Sequence, residues 1–223
     1  MLLSCISACG RCRFCRERRY GLCIGGGGWI FGHKIDGVQA EFARVPFADT
    51  STYQVPEGLT DEQVLYLADI LPTGYEVGVL NGQVQPGDTV AIVGAGPVGL
   101  AAILGARLYS PAAIVTIDPT PARRDWAETF GANVVATPEQ ARAEIDRLTD
   151  GLGADVAVEA VGIPATFEQC TELIRPGGRV ANVGVHGKPA TLHPEDQGRH
   201  HHHRPGGHVL DPDPAQERGG RAD

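Results

Sequence analysis

Four cysteines, Cys9, Cys12, Cys15 and Cys23, stand at C-x2-C-x2-C-x7-C spacing in the stretch CGRCRFCRERRYGLC. Two-residue spacers let successive thiolates converge on one tetrahedral centre. Four thiolates fill the coordination sphere of zinc and leave no open position, so the expected role is structural rather than catalytic. Arg11, Arg13, Arg16, Arg18 and Arg19 surround them, and such charges offset the negative charge of a four-thiolate zinc and lower thiol pKa values. An iron–sulfur cluster on the same soft ligands, or a set of unrelated free thiols, are the competing readings. Cys5 falls outside the spacing and Cys170 lies in a helical segment; both read as ordinary buried thiols.

A second group of residues suits a dinucleotide. VAIVGAGPVGL places Gly94, Gly96 and Gly99 in GxGxxG order around Pro97 and Val98, after a β-branched run and before a helix rich in Ala and Leu. The first glycine permits the tight turn, the second lets a pyrophosphate approach the backbone, and the third lets helix and strand pack closely. The helix N-terminus then faces the phosphates. The next strand, AAIVTID, ends in Asp118, 19 residues beyond Gly99, where a carboxylate accepts from a ribose 2′-OH and repels a 2′-phosphate. That favours NAD; a plain helix cap is the other reading of Asp118. Arg123 could lie along the adenosine ribose, and with Arg124 beside it NADP stays open.

The elements that would carry these residues follow from periodicity. Between Thr89 and Gly187, β-branched runs (TVAIVGA, AAIVTID, ANVVAT, ADVAVEA, RVANVGV) alternate with segments of helical period. Five strands joined by four crossovers predict an α/β fold with a doubly wound parallel sheet of Rossmann type. Residues 1–28 are rich in Cys, Arg and Gly and poor in large apolar side chains, and residues 29–88 alternate short apolar runs with turn signals. Composition excludes other classes. Nineteen basic against 27 acidic residues give a net charge of −8, which disfavours a nucleic-acid partner. No apolar run reaches membrane-spanning length, so no membrane partner is expected. The N-terminal residues run in the wrong order for a signal peptide. Cysteines clustered at metal-ligand spacing suit a reducing compartment, so a cytoplasmic location is expected.

A four-cysteine lobe followed by a GxGxxG domain resembles the zinc-dependent medium-chain alcohol dehydrogenases, and the resemblance runs from Leu3 to Pro189. CISACGRCRFCRERRYGLC is similar to their structural-zinc loop, GVQAEFARVP to the strand returning to the catalytic domain, and LADILPTGYE to the segment entering the cofactor domain. VEAVG and NVGVHG resemble the loops beside adenosine and nicotinamide. The resemblance implies a partial GroES-like catalytic domain over residues 1–72 with the zinc lobe at 9–23, then an NAD-binding Rossmann domain over 73–188 with five of its six strands. It places Asp69 at the third catalytic-zinc ligand, a position held by Asp in a subset of the family, although a helix carboxylate beside a turn is the plainer reading. It places Thr73 against the nicotinamide, with Val161, Gly162, Val183, Gly184 and Val185 lining the cofactor; each valine could equally be core filling at a strand end. The implied cofactors are zinc and NAD, the implied substrate a small-molecule alcohol or aldehyde, and complete relatives are expected to be homo-oligomers.

The family's GTD-type and GHE zinc motifs do not occur in this sequence, and His33, in GHKIDG, follows the cysteine lobe and reads as a surface histidine. The expectation is therefore an N-terminally truncated, inactive dehydrogenase. A formaldehyde-type enzyme on the same scaffold and a non-catalytic nucleotide- and zinc-binding fragment are the alternatives. Residues 189–223 hold six of the eight histidines and few large aliphatics, so this tail is expected to be disordered. Its codons can be back-translated so that a one-nucleotide shift near Glu195 yields a strand, a turn and a Leu-rich helix. A frameshift is the expected origin, against a cloned tag or a native His-rich metal tail.

Overall fold

The structure, a computed structural model of the 223-residue chain, describes residues 1–192. The tail expectations fall, beyond Leu192, outside the described residues. The chain divides into two compact units, Met1–Pro72 and Thr73–Asp223.

The second unit is built on five strands: β5 (Thr89–Val93), β6 (Ala113–Ile117), β7 (Val134–Ala136), β8 (Ala154–Glu159) and β9 (Ile174–Asn182). They pair in parallel in the order β7-β6-β5-β8-β9. The central strands are continuous apolar runs because both faces are covered. Along β5, Val90 and Ile92 enter one core with Ala102, Ile103, Ala106 and Ala127, while Ala91 and Val93 enter the other with Ile145, Cys170 and Leu173. Helices α5 (Pro97–Arg107) and α6 (Pro121–Phe130) thus cover one face, and α7 (Ala141–Thr149) and α8 (Pro164–Leu173) the other. Burying each Ile or Leu of these cores contributes roughly 1.5–3 kcal/mol. The doubly wound Rossmann-type sheet expected from the alternation is present. The chain turns one way through β6 and β7 and the other way through β8 and β9, so strand order reverses between β5 and β8, where ligands of such sheets bind.

Two details depart from the expected strands. The last strand was expected over 179–185, but it opens at Ile174, which pairs with Ala154 before the chain bulges through Pro176, Gly177 and Gly178 and rejoins the ladder at Arg179. Gly177 takes φ +71° in that bulge, and Arg175 is fixed to Asp155 at 2.6 Å. At its other end β9 stops at Asn182, leaving Val183–Val185 as a loop. The second detail is Thr73–Leu80, wound as a π-helix. Its Gly74 and Gly78 lie against α5 and β8: a Cβ on Gly74 would stand 2.7 Å from both Ala101 Cβ and the Val98 carbonyl.

The first unit has short elements. β1 (Leu2–Leu3) pairs with β4 (Thr52–Tyr53) and β2 (Ile6–Ser7) with β3 (Gly28–Trp29), both antiparallel. Helices α1 (Arg13–Arg16), α2 (Ala48–Ser51), α3 (Asp61–Val64) and α4 (Ile70–Pro72) are single turns or less. With little apolar area, side-chain hydrogen bonds carry the burden: the buried Ser7 hydroxyl donates to the Pro46 carbonyl and lies 3.1 Å from the Ser51 hydroxyl, and Thr50 donates to the Ala8 carbonyl. These fasten α2 to β2. Thr60 and Gln63 form a reciprocal capping box at the start of α3, an arrangement in which each partner satisfies a helix N–H that would otherwise be orphaned. No helix among the described residues is long and apolar enough to cross a membrane.

Candidate functional site

In the first unit, the four sulfurs of Cys9, Cys12, Cys15 and Cys23 all lie within 4.8 Å of one another. Cys9 and Cys15 are 3.9 Å apart, Cys12 and Cys15 3.4 Å. Zinc with bonds of about 2.3 Å to four sulfurs spaces them about 3.8 Å apart, so the donor set fits a tetrahedral ion. The backbone prepares the sulfurs for it: the Cys9 N–H donates to Cys23 Sγ at 3.3 Å and the Cys12 N–H to Cys9 Sγ at 3.4 Å. Gly25 closes the cradle, because a Cβ there would collide with Cys9 Sγ. Backbone N–H groups of Cys15 and Ile24 pull the Cys12 thiol down to about 6, while burial, and then the thiols of Cys12 and Cys23, push Cys15 up to about 12. Thiols this close do not all ionise without a cation between them. Of the arginines, Arg13 pairs with Glu17 at 3.0 Å and Arg19 lies over the Phe14 ring at 6.0 Å.

Asp69 lies in the same unit, against Cys5. The two side chains hydrogen-bond, and burial, together with the Asp69 charge, pushes the Cys5 thiol up to about 11. The Cys5 N–H also donates to the Ala68 carbonyl at 3.4 Å. Cys5 is thus half-buried beside a carboxylate 64 positions on, a pairing that no spacing rule in the sequence reveals. His33 stacks face to face on Trp29 at 4.3 Å. Among the described residues, the cysteine quartet is the only set of three or more side chains able to hold a metal.

In the second unit, the loop between β5 and α5 gives each glycine a separate task. Gly94 takes φ +99°, and a Cβ there would stand 2.6 Å from Val161 Cγ2. Gly99, inside α5, packs directly on the Gly94 carbonyl. Gly96 caps α5 with extended backbone, Pro97 follows in the first turn, and a Cβ on Gly96 would meet nothing within 4 Å. The backbone at Gly96 therefore borders open space at the N-terminus of an 11-residue helix, which is room for a phosphate rather than packing.

Asp118 is only 2% exposed. Its Oδ2 accepts from the Ala95 N–H at 2.9 Å and its Oδ1 from the Thr120 N–H at 2.8 Å. One carboxylate therefore anchors the glycine loop and orders the entry to α6. Arg123 stands 3.7 Å from Oδ2, and Arg124 donates to the Asp118 carbonyl at 2.7 Å. Each carboxylate oxygen keeps a second lone pair for a ribose hydroxyl. Thr73 opens the π-helical stretch, one position before Gly74, which packs against α5. Val161 and Gly162 follow β8, and Val183, Gly184 and Val185 follow β9, with Val161 and Val185 exposed. The loops after β5, β6, β8 and β9 thus gather at the carboxyl ends of the strands. Glu159 and His186, which tie two of these loops together, lie inside VEAVG and NVGVHG, but nothing in either segment singles them out: a lone Glu closing an apolar strand carries no sequence signal beyond marking the strand end.

A family model described as zinc-binding dehydrogenase matches residues 97–209, half of the chain. The chain belongs to the zinc-binding dehydrogenase family. An alcohol dehydrogenase of Cupriavidus necator is 42% identical over 167 residues, covering 74% of this chain and 45% of that protein. A solved structure of zinc dependent alcohol dehydrogenase 2 from Streptococcus pneumonia superposes with a TM-score of 0.79 at 52% identity, covering 85% of this chain and 54% of that one. Alcohol dehydrogenase TADH from Thermus sp. ATN1 superposes at 0.76 with 39% identity, over 86% of this chain and 56% of that one. This zinc-binding dehydrogenase chain spans about half the length of the relatives it matches.

Proposed function

We propose that the chain is the cofactor-binding part, with a structural zinc lobe, of an NAD-linked alcohol dehydrogenase that interconverts a small alcohol and its aldehyde or ketone. The observation that carries this reading is the glycine loop: an unfilled backbone at Gly96, at the start of α5, held by the buried carboxylate of Asp118. A nicotinamide supplies hydride acceptance in such an enzyme, and a metal polarises the alcohol oxygen. The chain's own residues bind and orient. The α5 N-terminus and Gly96 would receive the pyrophosphate, Asp118 the adenosine ribose, and Thr73 would pack against the nicotinamide, with Val161, Gly162, Val183, Gly184 and Val185 lining the cofactor. Cys9, Cys12, Cys15 and Cys23 would hold zinc as a structural ion, and Asp69 would give one ligand to a catalytic ion.

The isolated 223-residue chain should bind nucleotide and zinc without turning over alcohol, because hydride transfer from an alcohol needs a metal held by about three protein ligands, and among the described residues the cysteine quartet, which leaves no open position, is the only set of three or more side chains able to hold one. The test is calorimetric titration with NAD and NADP, beside an alcohol-oxidation assay. Binding of NAD in preference to NADP, with no NADH formed, supports the reading. Tighter NADP binding removes the role given to Asp118, and turnover abolished by Asp69→Ala removes the claim of inactivity.

A further inference from the structure

Glu159, at the carboxyl end of β8, is fully buried, and its carboxylate is divided between two loops. Oε1 accepts from the backbone N–H groups of Val161 and Gly162, each at 2.9 Å, and from the Thr166 hydroxyl at 2.7 Å. Oε2 faces His186 Nε2 at 3.3 Å, and the same nitrogen lies 2.8 Å from Asn182 Oδ1. Both neighbours are acceptors, so Nε2 carries the proton and donates. The Asn182 amide is oriented by its own Nδ2, which donates to the Gly184 carbonyl at 3.1 Å. The backbone carbonyl of Glu159 accepts from the N–H groups of Val183 and Gly184 at 2.8 and 3.1 Å. The Phe167 ring meets the imidazole edge-on at 6.0 Å.

The two loops also interlock through glycine. Gly162 takes φ +89°, and a Cβ there would stand 2.7 Å from the Val185 carbonyl; a Cβ on Gly184 would collide with the Gly162 nitrogen and with Glu159 Oε2. A buried carboxylate is costly unless its lone pairs are used, and here they are used on loop backbone rather than on core. His186 Nδ1 is enclosed without a partner among the described residues. That is a cost for a ring that merely fills space.

We propose that Glu159 and His186 form a positioning pair: the carboxylate sets the loop after β8, the imidazole ties it to the loop after β9, and together they shape the edge that receives the nicotinamide half of a dinucleotide. The adenosine half is left to the glycine loop and Asp118. The proposal rests on the dinucleotide reading above, and predicts that damage to the pair is felt by the nicotinamide half alone.

The experiment titrates the full chain and its His186→Ala and His186→Gln variants with NADH and with ADP-ribose, which lacks the nicotinamide. In His186→Ala, affinity for NADH should fall about tenfold, as expected for a lost hydrogen bond to a charged group, while ADP-ribose changes less than about twofold. His186→Gln, whose amide can donate to Glu159 in place of Nε2, should recover most of the NADH affinity. Equal losses for both ligands, or unchanged NADH binding, overturn the proposal. If His186→Ala fails to fold, Asn182→Ala, which frees the imidazole from its second acceptor, must show the same division between ligands, and its absence overturns the proposal too. Failure of the unaltered chain to bind either ligand instead overturns the dinucleotide reading, and the pair's role with it.

Discussion

In the proposed reading, Asp118 combines two tasks. Its oxygens already hold the Ala95 and Thr120 N–H groups, so Asp118→Ala should do more than remove a ribose acceptor. NAD affinity should fall roughly tenfold and the preference over NADP should narrow, while the buried Ala95 N–H left unpaired costs about 1–3 kcal/mol in stability and the exposed Thr120 N–H turns to water. Titration with both nucleotides and a thermal melt check the two effects separately; a variant that lost neither would detach Asp118 from the loop. At the thiol cluster, Cys12→Ser replaces a sulfur with a poor zinc ligand. The unaltered protein should carry about one zinc per chain and the variant well under half of that, read by metal analysis after anaerobic purification. These residues were legible in the sequence because their chemistry depends on short spacing: three glycines within six positions, four cysteines within 15. Glu159 with His186, and Cys5 with Asp69, were not, because 27 and 64 positions separate the partners and only the fold brings them together.

At the scale of elements, the loop between β5 and α5 separates packing glycine from binding glycine, and the separation can be measured. Gly99→Ala drives a methyl into the Gly94 carbonyl, where backbone must move, so it should cost about 1–3 kcal/mol by overpacking and lower the melting temperature. Gly96→Ala adds a methyl to open space at ordinary φ. It should leave the melt within about 0.5 kcal/mol, as an unstrained surface change does, yet weaken nucleotide binding where a phosphate must approach. Loss of stability in both variants, or unchanged nucleotide affinity in Gly96→Ala, would contradict that division. The five strands were readable from short β-branched apolar runs alternating with helical segments, since strands buried on both faces are apolar at nearly every position. Their ends were not. β9 begins at Ile174 because the chain leaves α8 already extended beside Ala154, and it ends at Asn182 because interlocking glycines, not polar turn residues, close the ladder. The π-helix at Thr73–Leu80 left no periodic signature; its winding answers to the close approach of Gly74 and Gly78 to α5 and β8.

For the whole molecule, the two units differ in what holds them. Thr73 onward is organised around two apolar cores on either side of a sheet, whereas residues 1–72 depend on hydroxyl-to-carbonyl bonds and the thiol cradle. Removing zinc with a chelator should therefore raise amide exchange across residues 5–29 by orders of magnitude and leave β5, β6 and β8 protected, since local opening follows local stability. Uniform loss of protection would mean that the units unfold as one. The expected division of the chain into elements was visible in the alternation after Thr89, but the first unit, with strands of two residues, offered no period to read. Trp29, stacked on His33, and Trp126, on α6 with its ring edge toward Phe130, are the chain's only tryptophans, and each belongs to a different unit. Indole fluorescence is thus already a two-channel recorder of this protein: Trp126→Phe leaves a probe that reports the unit of the cysteine quartet, and Trp29→Phe leaves one that reports the unit of the parallel sheet, with no dye attached to either.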